Sequence, residues 1–144
     1  MTFLLDTNVI AEWVKPRPDT NVIAWLADVD EDRVFVSVAS FAEIRHGIER
    51  LPEGRRRQSL SAWLSEDLPQ RFEGRILHID RHIAEVCGVM MARGWRAGMT
   101  VGSMDGFIAA TAAAHGHTLV TRNTRDFAPL RITLFDPWER RAGR

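Results

Sequence analysis

Tyrosine is absent from this 144-residue chain, cysteine occurs once, and its nineteen basic residues include a single lysine, Lys15. One cysteine, Cys87, excludes an intramolecular disulfide framework and any multi-cysteine zinc site, and makes a reducing cytoplasm the default compartment. The scarcity of lysine and tyrosine fits GC-rich coding and carries no functional information. No apolar run approaches the ~18 residues that would span a bilayer, so no membrane association is expected. The opening stretch MTFLLDTNVI has no basic flank and no small-residue cleavage site, and is not read as a secretory signal. Net charge is also missing, at zero, which argues against a protein that coats nucleic acid without specificity. The zero hides an asymmetry. Residues 1–54 carry 5 basic and 10 acidic groups, a net −5, while residues 55–144 carry 14 and 9, a net +5. A local basic face therefore stays possible.

The hydrophobic share of 45% and charged share of 26% are those of a globular protein, and the length suits one domain. Short apolar runs predict strands at TFLLD, at RVFVSV (33–38), at RILHI (75–79), at HTLVT (117–121) and at RITLF (131–135). Helical spacing lies between them. Val9, Ile10, Trp13 and Val14 share one face before the Pro16–Pro18 stretch, and Asp19 caps a helix bearing Val22 and Leu26. Ser40 is expected to open a helix with Phe41, Ile44, Ile48 and Leu51. A segment from Pro52 carries Leu60, Leu64 and Leu68. Ile83 to Met91 form a stripe on a helix ending near Gly98, and Ser103 caps a last helix that Gly116 stops. Strands alternating with helices predict an α/β fold: one three-layer domain over residues 1–144, its central parallel sheet flanked by helices, with residues from about 137 to 144 as a tail. In such sheets chemistry sits outside the carboxyl ends of the strands.

Acids gather in that position. Asp6 follows the first strand, where it also suits a helix N-cap. Glu43 stands three residues after Ser40, the spacing of a capping box, yet it also falls in the first turn of a helix that follows a strand. Asp105 lies in the first turn of its helix, where the dipole favours an acid, and the small residues of GFIAATAAA behind it allow a close approach to the sheet. TRNTRDF, after the fourth strand, brings Thr121, Asn123 and Asp126, residues that turns also favour. Each signal has a structural reading, but together they place the acids at one sheet edge. Clustered carboxylates raise one another's pKa unless a cation compensates. Oxygen donors without cysteine or paired histidine select Mg²⁺ or Mn²⁺.

FLLDTNVI, SVASFAEIRHG, SMDGFIAATAAAHG and LVTRNTRDF resemble, in order and spacing, the motifs of PIN-domain ribonucleases, closest to the VapC/FitB type of toxin from bacterial toxin–antitoxin pairs. The resemblance runs over nearly the whole chain. It implies a PIN-like fold and a Mg²⁺-dependent endoribonuclease, with Mn²⁺ able to substitute. Asp6, Glu43 and Asp105 are then the acidic residues of the metal site, the metal being assigned first to Asp6 and Asp105. Thr7, Asn8, Thr121 and Asn123 would support it. The chain departs from the pattern at Asn123, where many relatives carry an acid: either Asp126 supplies the fourth catalytic carboxylate, the favoured reading, or Asn123 keeps the position and a second metal is weakly held. Water would be the nucleophile, leaving a 5′-phosphate. The resemblance also implies a cognate antitoxin, a homodimer that assembles further with it, and operator DNA bound only through the antitoxin. Its alternative form is a component of a DNA-binding repressor complex with weak or masked nuclease activity.

Other residues weigh less. An aspartyl-nucleophile phosphohydrolase would want a second Asp where Asn8 stands and a lysine late in the chain, and the lone lysine is Lys15. His115 and His117 flank a glycine turn. Cys87 sits on an apolar stripe and reads as core. Arg55–Arg57, with Arg45, Arg71, Arg93, Arg96, Arg122 and Arg125, form either solvated faces or a phosphate-binding groove. Trp63 and Trp95 could stack bases, although packing is the simpler reading.

Overall fold

Strand β1 (Phe3–Leu5) ends where Asp6 takes an extended conformation and caps helix α1 (Thr7–Glu12), its side chain accepting from the Thr7 N–H. The computed structural model describes residues 1–139. After α1 come α2 (Thr20–Asp28), capped by Asp19 as expected, then β2 (Val34–Ser37) and α3 (Val38–Glu49). Helices α4 (Arg55–Ala62) and α5 (Leu68–Arg71) are joined by a π-helical turn over Trp63–Asp67. Pro69 at the start of α5 has no N–H to give back to the preceding turn, and the wider π register absorbs that loss. Strand β3 (Ile76–Leu77), α6 (Arg81–Arg96), α7 (Ser103–His115), β4 (Thr118–Val120), α8 (Thr124–Phe127) and β5 (Leu134–Phe135) complete the order.

All five strands pair in parallel, in the order β3-β2-β1-β4-β5. This is the expected α/β domain with its covered parallel sheet. Alternation along each strand divides the core into two layers. Leu4 and Leu119 join Ile83, Cys87, Met90 and Ile108 on the side of α6 and α7. Leu5 and Val120 join Val9, Ile10, Val22, Leu64 and Phe72 on the other. The chain builds outward from β1 to β3, then crosses to the opposite side of β1 for β4 and β5. The switch point of the topology therefore lies between β1 and β4, where the Asp6 N–H donates to the Val120 carbonyl at 2.9 Å.

Three local expectations are corrected. Helix α3 begins at Val38, not Ser40, and its cap is Ser37, whose hydroxyl accepts from the Ala39 N–H. Pairing of Val36 with Ile76 and Ser37 with Leu77 carries β2 up to Ser37, and the helix starts at once. Ser103 is the first helical residue of α7 rather than its cap, a position held by Gly102 without a side-chain bond. The loop expected at TRNTRDF contains α8. Of the proposed tail, residues 140–144 lie outside the described residues. Pro137–Glu139 are described, and the Trp138 carbonyl accepts from Asn21 Nδ2 at 3.0 Å.

Helix α7 packs against α6 through small residues. A Cβ on Gly106 would lie 2.9 Å from Cys87 Sγ and 3.3 Å from Met91 Cγ. Gly116, at φ 68°, ends α7 in the left-handed conformation. Gly106→Ala should therefore destabilise the chain by about 1–3 kcal/mol through overpacking, and Cys87→Ala in the same chain should recover part of that loss. Urea denaturation of the two variants checks this. Equal stability of wild type and Gly106→Ala would mean that the helices separate freely.

Candidate functional site

Four elements deliver acids to the carboxyl edge of the sheet. Asp6 follows β1, Glu43 lies in the second turn of α3, Asp105 is the third residue of α7, and Asp126 lies in α8. Asp6 is the buried member, 4% exposed. Its Oδ1 accepts from the Thr7 N–H at 2.8 Å and its Oδ2 from the Thr121 hydroxyl at 2.7 Å. The Thr7 hydroxyl donates to Glu43 Oε1 at 2.6 Å. Thr121 Oγ1 also accepts from the Asn123 N–H at 3.0 Å and faces Asn8 Nδ2 at 3.4 Å. Asn8 Oδ1 meets the Arg122 N–H at 3.5 Å.

The acids act on one another. Burial pushes Asp6 up from its ordinary 3.8 to about 6, its two hydrogen bonds oppose the rise, and the charges of Asp105 and Glu43 add to it. Asp105 is also pushed up, by burial first and then by the charges of Glu43 and Asp126. Asp105 is thus the hub on which the charges of Glu43 and Asp126 both act, while Asn123 brings no charge. The structure gives Asn123 another task. Its backbone N–H steadies the Thr121 hydroxyl, and it stands at the start of α8.

Sequence reasoning missed Ser40 as part of this site. It is fully buried, and its hydroxyl lies 2.9 Å from Thr7 Oγ1. The capping-box explanation of Glu43 falls with the start of α3 at Val38, because Ser37 is the cap. Glu43 instead points its oxygen to Thr7, a residue 36 positions away.

The other candidates lie elsewhere. Lys15 pairs with the buried Glu12 at the far end of α1, which removes the lysine that an aspartyl-phosphate chemistry would need beside Asp6. His117 precedes β4 at the opposite edge of the sheet, with a ring nitrogen 2.6 Å from Thr2 Oγ1 and its ring stacked on Phe35. Burial and His115 lower its pKa. Cys87 is core, and burial raises its thiol pKa. Trp63 packs on the second core layer, whereas Trp95 is 77% exposed on α6. Among the arginines, Arg57 pairs with Glu49 and Arg71 with Glu31. Arg45 reaches Ser61 and Ser65, and Arg93 reaches the Leu130 carbonyl. Arg122, next to Thr121, places its guanidinium 5.4 Å from the Trp138 ring centre. Arg55 and Arg56 line a groove of about 450 Å³ with Trp63 and Asp67.

The donor set suits a hard divalent cation. It offers oxygen ligands only, and among the described residues no ion pair links Asp6, Glu43, Asp105 or Asp126 to a basic side chain. Among the described residues no three acidic, histidine or cysteine side chains converge tightly enough to enclose an ion. No helix of the described residues is long and apolar enough to cross a membrane.

The family model described as PIN domain matches residues 3–131. The chain is 36% identical over 135 residues to the protein named Toxin FitB from Neisseria gonorrhoeae (strain ATCC 700825 / FA 1090), spanning 94% of this chain and 97% of that one. It is 35% identical over 136 residues to VapC ribonuclease Y4jK from Sinorhizobium fredii (strain NBRC 101917 / NGR234), spanning 94% and 97%. A solved structure of FitAB bound to an IR36 DNA fragment superposes with a TM-score of 0.90 at 33% identity, covering 99% of this chain and all of that one.

The elevated Asp6 makes a signed statement about stability. Below about pH 4 its carboxyl is protonated in the folded and the unfolded chain alike. Between there and about 6 the folded chain keeps the proton and the unfolded chain releases it, so stability falls as pH rises. In the metal-free protein, wild type should lose up to roughly 3 kcal/mol relative to Asp6→Asn between pH 4 and pH 7. Urea denaturation in chelator across that range measures the difference. A flat difference would place Asp6 in solvent-like surroundings.

Proposed function

The chain belongs to the PIN domain family, and from that premise we propose that it is the ribonuclease toxin of a toxin–antitoxin pair, a Mg²⁺-dependent endoribonuclease of the cytoplasm held in check by its antitoxin. The observation that carries this reading is the group of four carboxylates at the β1–β4 switch point, mutually repelling and held by neutral donors. The relative named VapC ribonuclease Y4jK supports the activity. Asp6 and Asp105 would hold the cation, with Mn²⁺ able to replace Mg²⁺, and the charges of Glu43 and Asp126 act on Asp105 as well. A bound divalent cation supplies the positive charge that polarises a phosphodiester and lowers the pKa of water. The chain's own residues do the rest. Thr121 and the Thr7 N–H fix both oxygens of Asp6. Thr7 fixes one oxygen of Glu43, and the other, Oε2, is left to join Asp6 and Asp105 at the cation. With water as the nucleophile and the 3′ oxygen as the leaving group, the product would keep a 5′-phosphate, and no ribose 2′-hydroxyl is required.

Control follows from the same charges. A guanidinium from an antitoxin would pair bidentately with these carboxylates and compete with the cation. We read the assembly as a homodimer that grows further with antitoxin. A second reading is favoured by one observation, the DNA-bound FitAB complex. In it the chain serves in a repressor whose antitoxin contacts operator DNA, with nuclease activity masked. The two roles are compatible.

Purified chain incubated with mixed RNA and Mg²⁺, followed by sequencing of 5′-phosphate ends, tests the reading. Cleavage should vanish in chelator. Asp105→Asn should lower it by about 100-fold or more, a loss of roughly 2.7 kcal/mol of transition-state stabilisation. Glu43→Gln should lower it at little cost in stability, because the cap belongs to Ser37. Asp126→Ala should weaken Mn²⁺ binding several-fold, whereas Asn123→Asp should leave it near wild type. Full activity in Asp105→Asn would remove that residue from the site, and no cleavage under any metal condition would favour the repressor role.

A further inference from the structure

A threonine hydroxyl carries one proton, and an ionised carboxylate carries none. The proton in the 2.6 Å bond between Thr7 Oγ1 and Glu43 Oε1 is therefore Thr7's own. The 2.9 Å contact between Thr7 Oγ1 and Ser40 Oγ then has to be filled by the proton of Ser40. The three groups form a one-way chain, Ser40 to Thr7 to Glu43. We propose that Ser40 is a positioning residue of the acidic site, acting through Thr7 to fix one Glu43 oxygen and to leave Oε2 for the cation. This rests on the reading above that the carboxylates hold a divalent ion.

Several observations separate this role from simple burial. Ser40 does not cap α3, since Ser37 does. Serine inside a helix ordinarily bonds back to its own preceding turn, yet Ser40 reaches across to Thr7, 33 positions away. Ser40 is fully buried and Thr7 partly so, and the Ser40 hydroxyl is the partner that Thr7 meets on its inner side. Ser40 and Glu43 are three residues apart on α3 and so lie on one face of the helix. Thr7 is the point where the two meet, and its backbone N–H also holds Asp6 Oδ1. Hydrogen bonds in series polarise one another, so the donor given to Glu43 is stronger when Thr7 itself accepts from Ser40. Without Ser40 the Thr7 hydroxyl is free to turn, and Glu43 loses its fixed orientation.

Calorimetric titration of the full chain with Mn²⁺, without RNA and at constant pH, tests the relay. Ser40→Ala should weaken Mn²⁺ binding about tenfold, the scale seen when a partner behind a metal ligand is removed. Ser40→Cys, which keeps a weak donor in nearly the same volume, should fall between Ser40→Ala and wild type, and it carries the test if Ser40→Ala does not fold. In a Thr7→Val background, Ser40→Ala should cause no further weakening, because Ser40 acts only through Thr7. Wild-type affinity in Ser40→Ala, or a loss that persists undiminished beside Thr7→Val, overturns the proposal even if melting temperature changes. If wild type binds no Mn²⁺ and Glu43→Gln changes nothing, the cation reading itself fails and takes the proposal with it. If Glu43→Gln weakens binding and Ser40→Ala does not, the relay alone fails.

Discussion

Asp6 sits where the sheet changes direction, 4% exposed, with both carboxylate oxygens bound by neutral donors and two further acids acting on it. Neutral donors stabilise its charge without cancelling it. A lysine or arginine in the same place would cancel that charge and settle the folded state more fully. The basic residues that follow α1 and Thr121 in the chain are engaged otherwise. Lys15 is bound to Glu12, and the Arg122 guanidinium rests on Trp138. The structure thus carries an uncompensated charge at a buried acid, and the arrangement of the other site residues follows from that condition.

Thr7 and Thr121 show how the condition is met. Each follows the carboxyl end of a strand beside the switch point, and each sends a hydroxyl to an acid on another part of the chain. Parallel pairing of Leu5 with Val120 sets the distance between them. Strand pairing and the placement of Asp6 are therefore one geometric fact. The buried Glu12 plays a quieter part in the same scheme. It accepts from the Asp19 N–H at 2.9 Å and so anchors the loop that leads from α1 into α2.

The fold class and the first, second and fourth strands were legible because their apolar runs are short and continuous, as strands buried on both faces require. Strand order was not, since pairing joins residues far apart and leaves no local trace. Two serines three residues apart, Ser37 and Ser40, both suit a cap by local pattern. The pairing of Ser37 with Leu77 decides between them, and that information is not local. Asp6, Glu43 and Asp105 were readable as acids following strands or opening helices. Nothing local ties Asp126 to Asp105, because TRNTRDF has the residues of a turn and α8 leaves no pattern in them. Ser40 stayed hidden for the opposite reason: a complete local explanation was at hand, and it was the wrong one.

The hub of the acidic cluster depends on packing far from any charge. Asp105 is placed by α7, and α7 is placed by its contact with α6, where Gly106 leaves no room for even a methyl group against Cys87. Gly106 is also the residue after Asp105, so the backbone that carries the acid is the backbone that makes the close approach. Ala109, Ala110 and Ala112 continue the small face, all fully buried. A larger residue at any of these places would push the helix outward and carry Asp105 away from Glu43 and Asp6. The run of small residues after the acid, which by itself implies no chemistry, is therefore what sets the spacing of the carboxylates. Cys87, without a chemical role of its own, acts on the site through the space its sulfur fills.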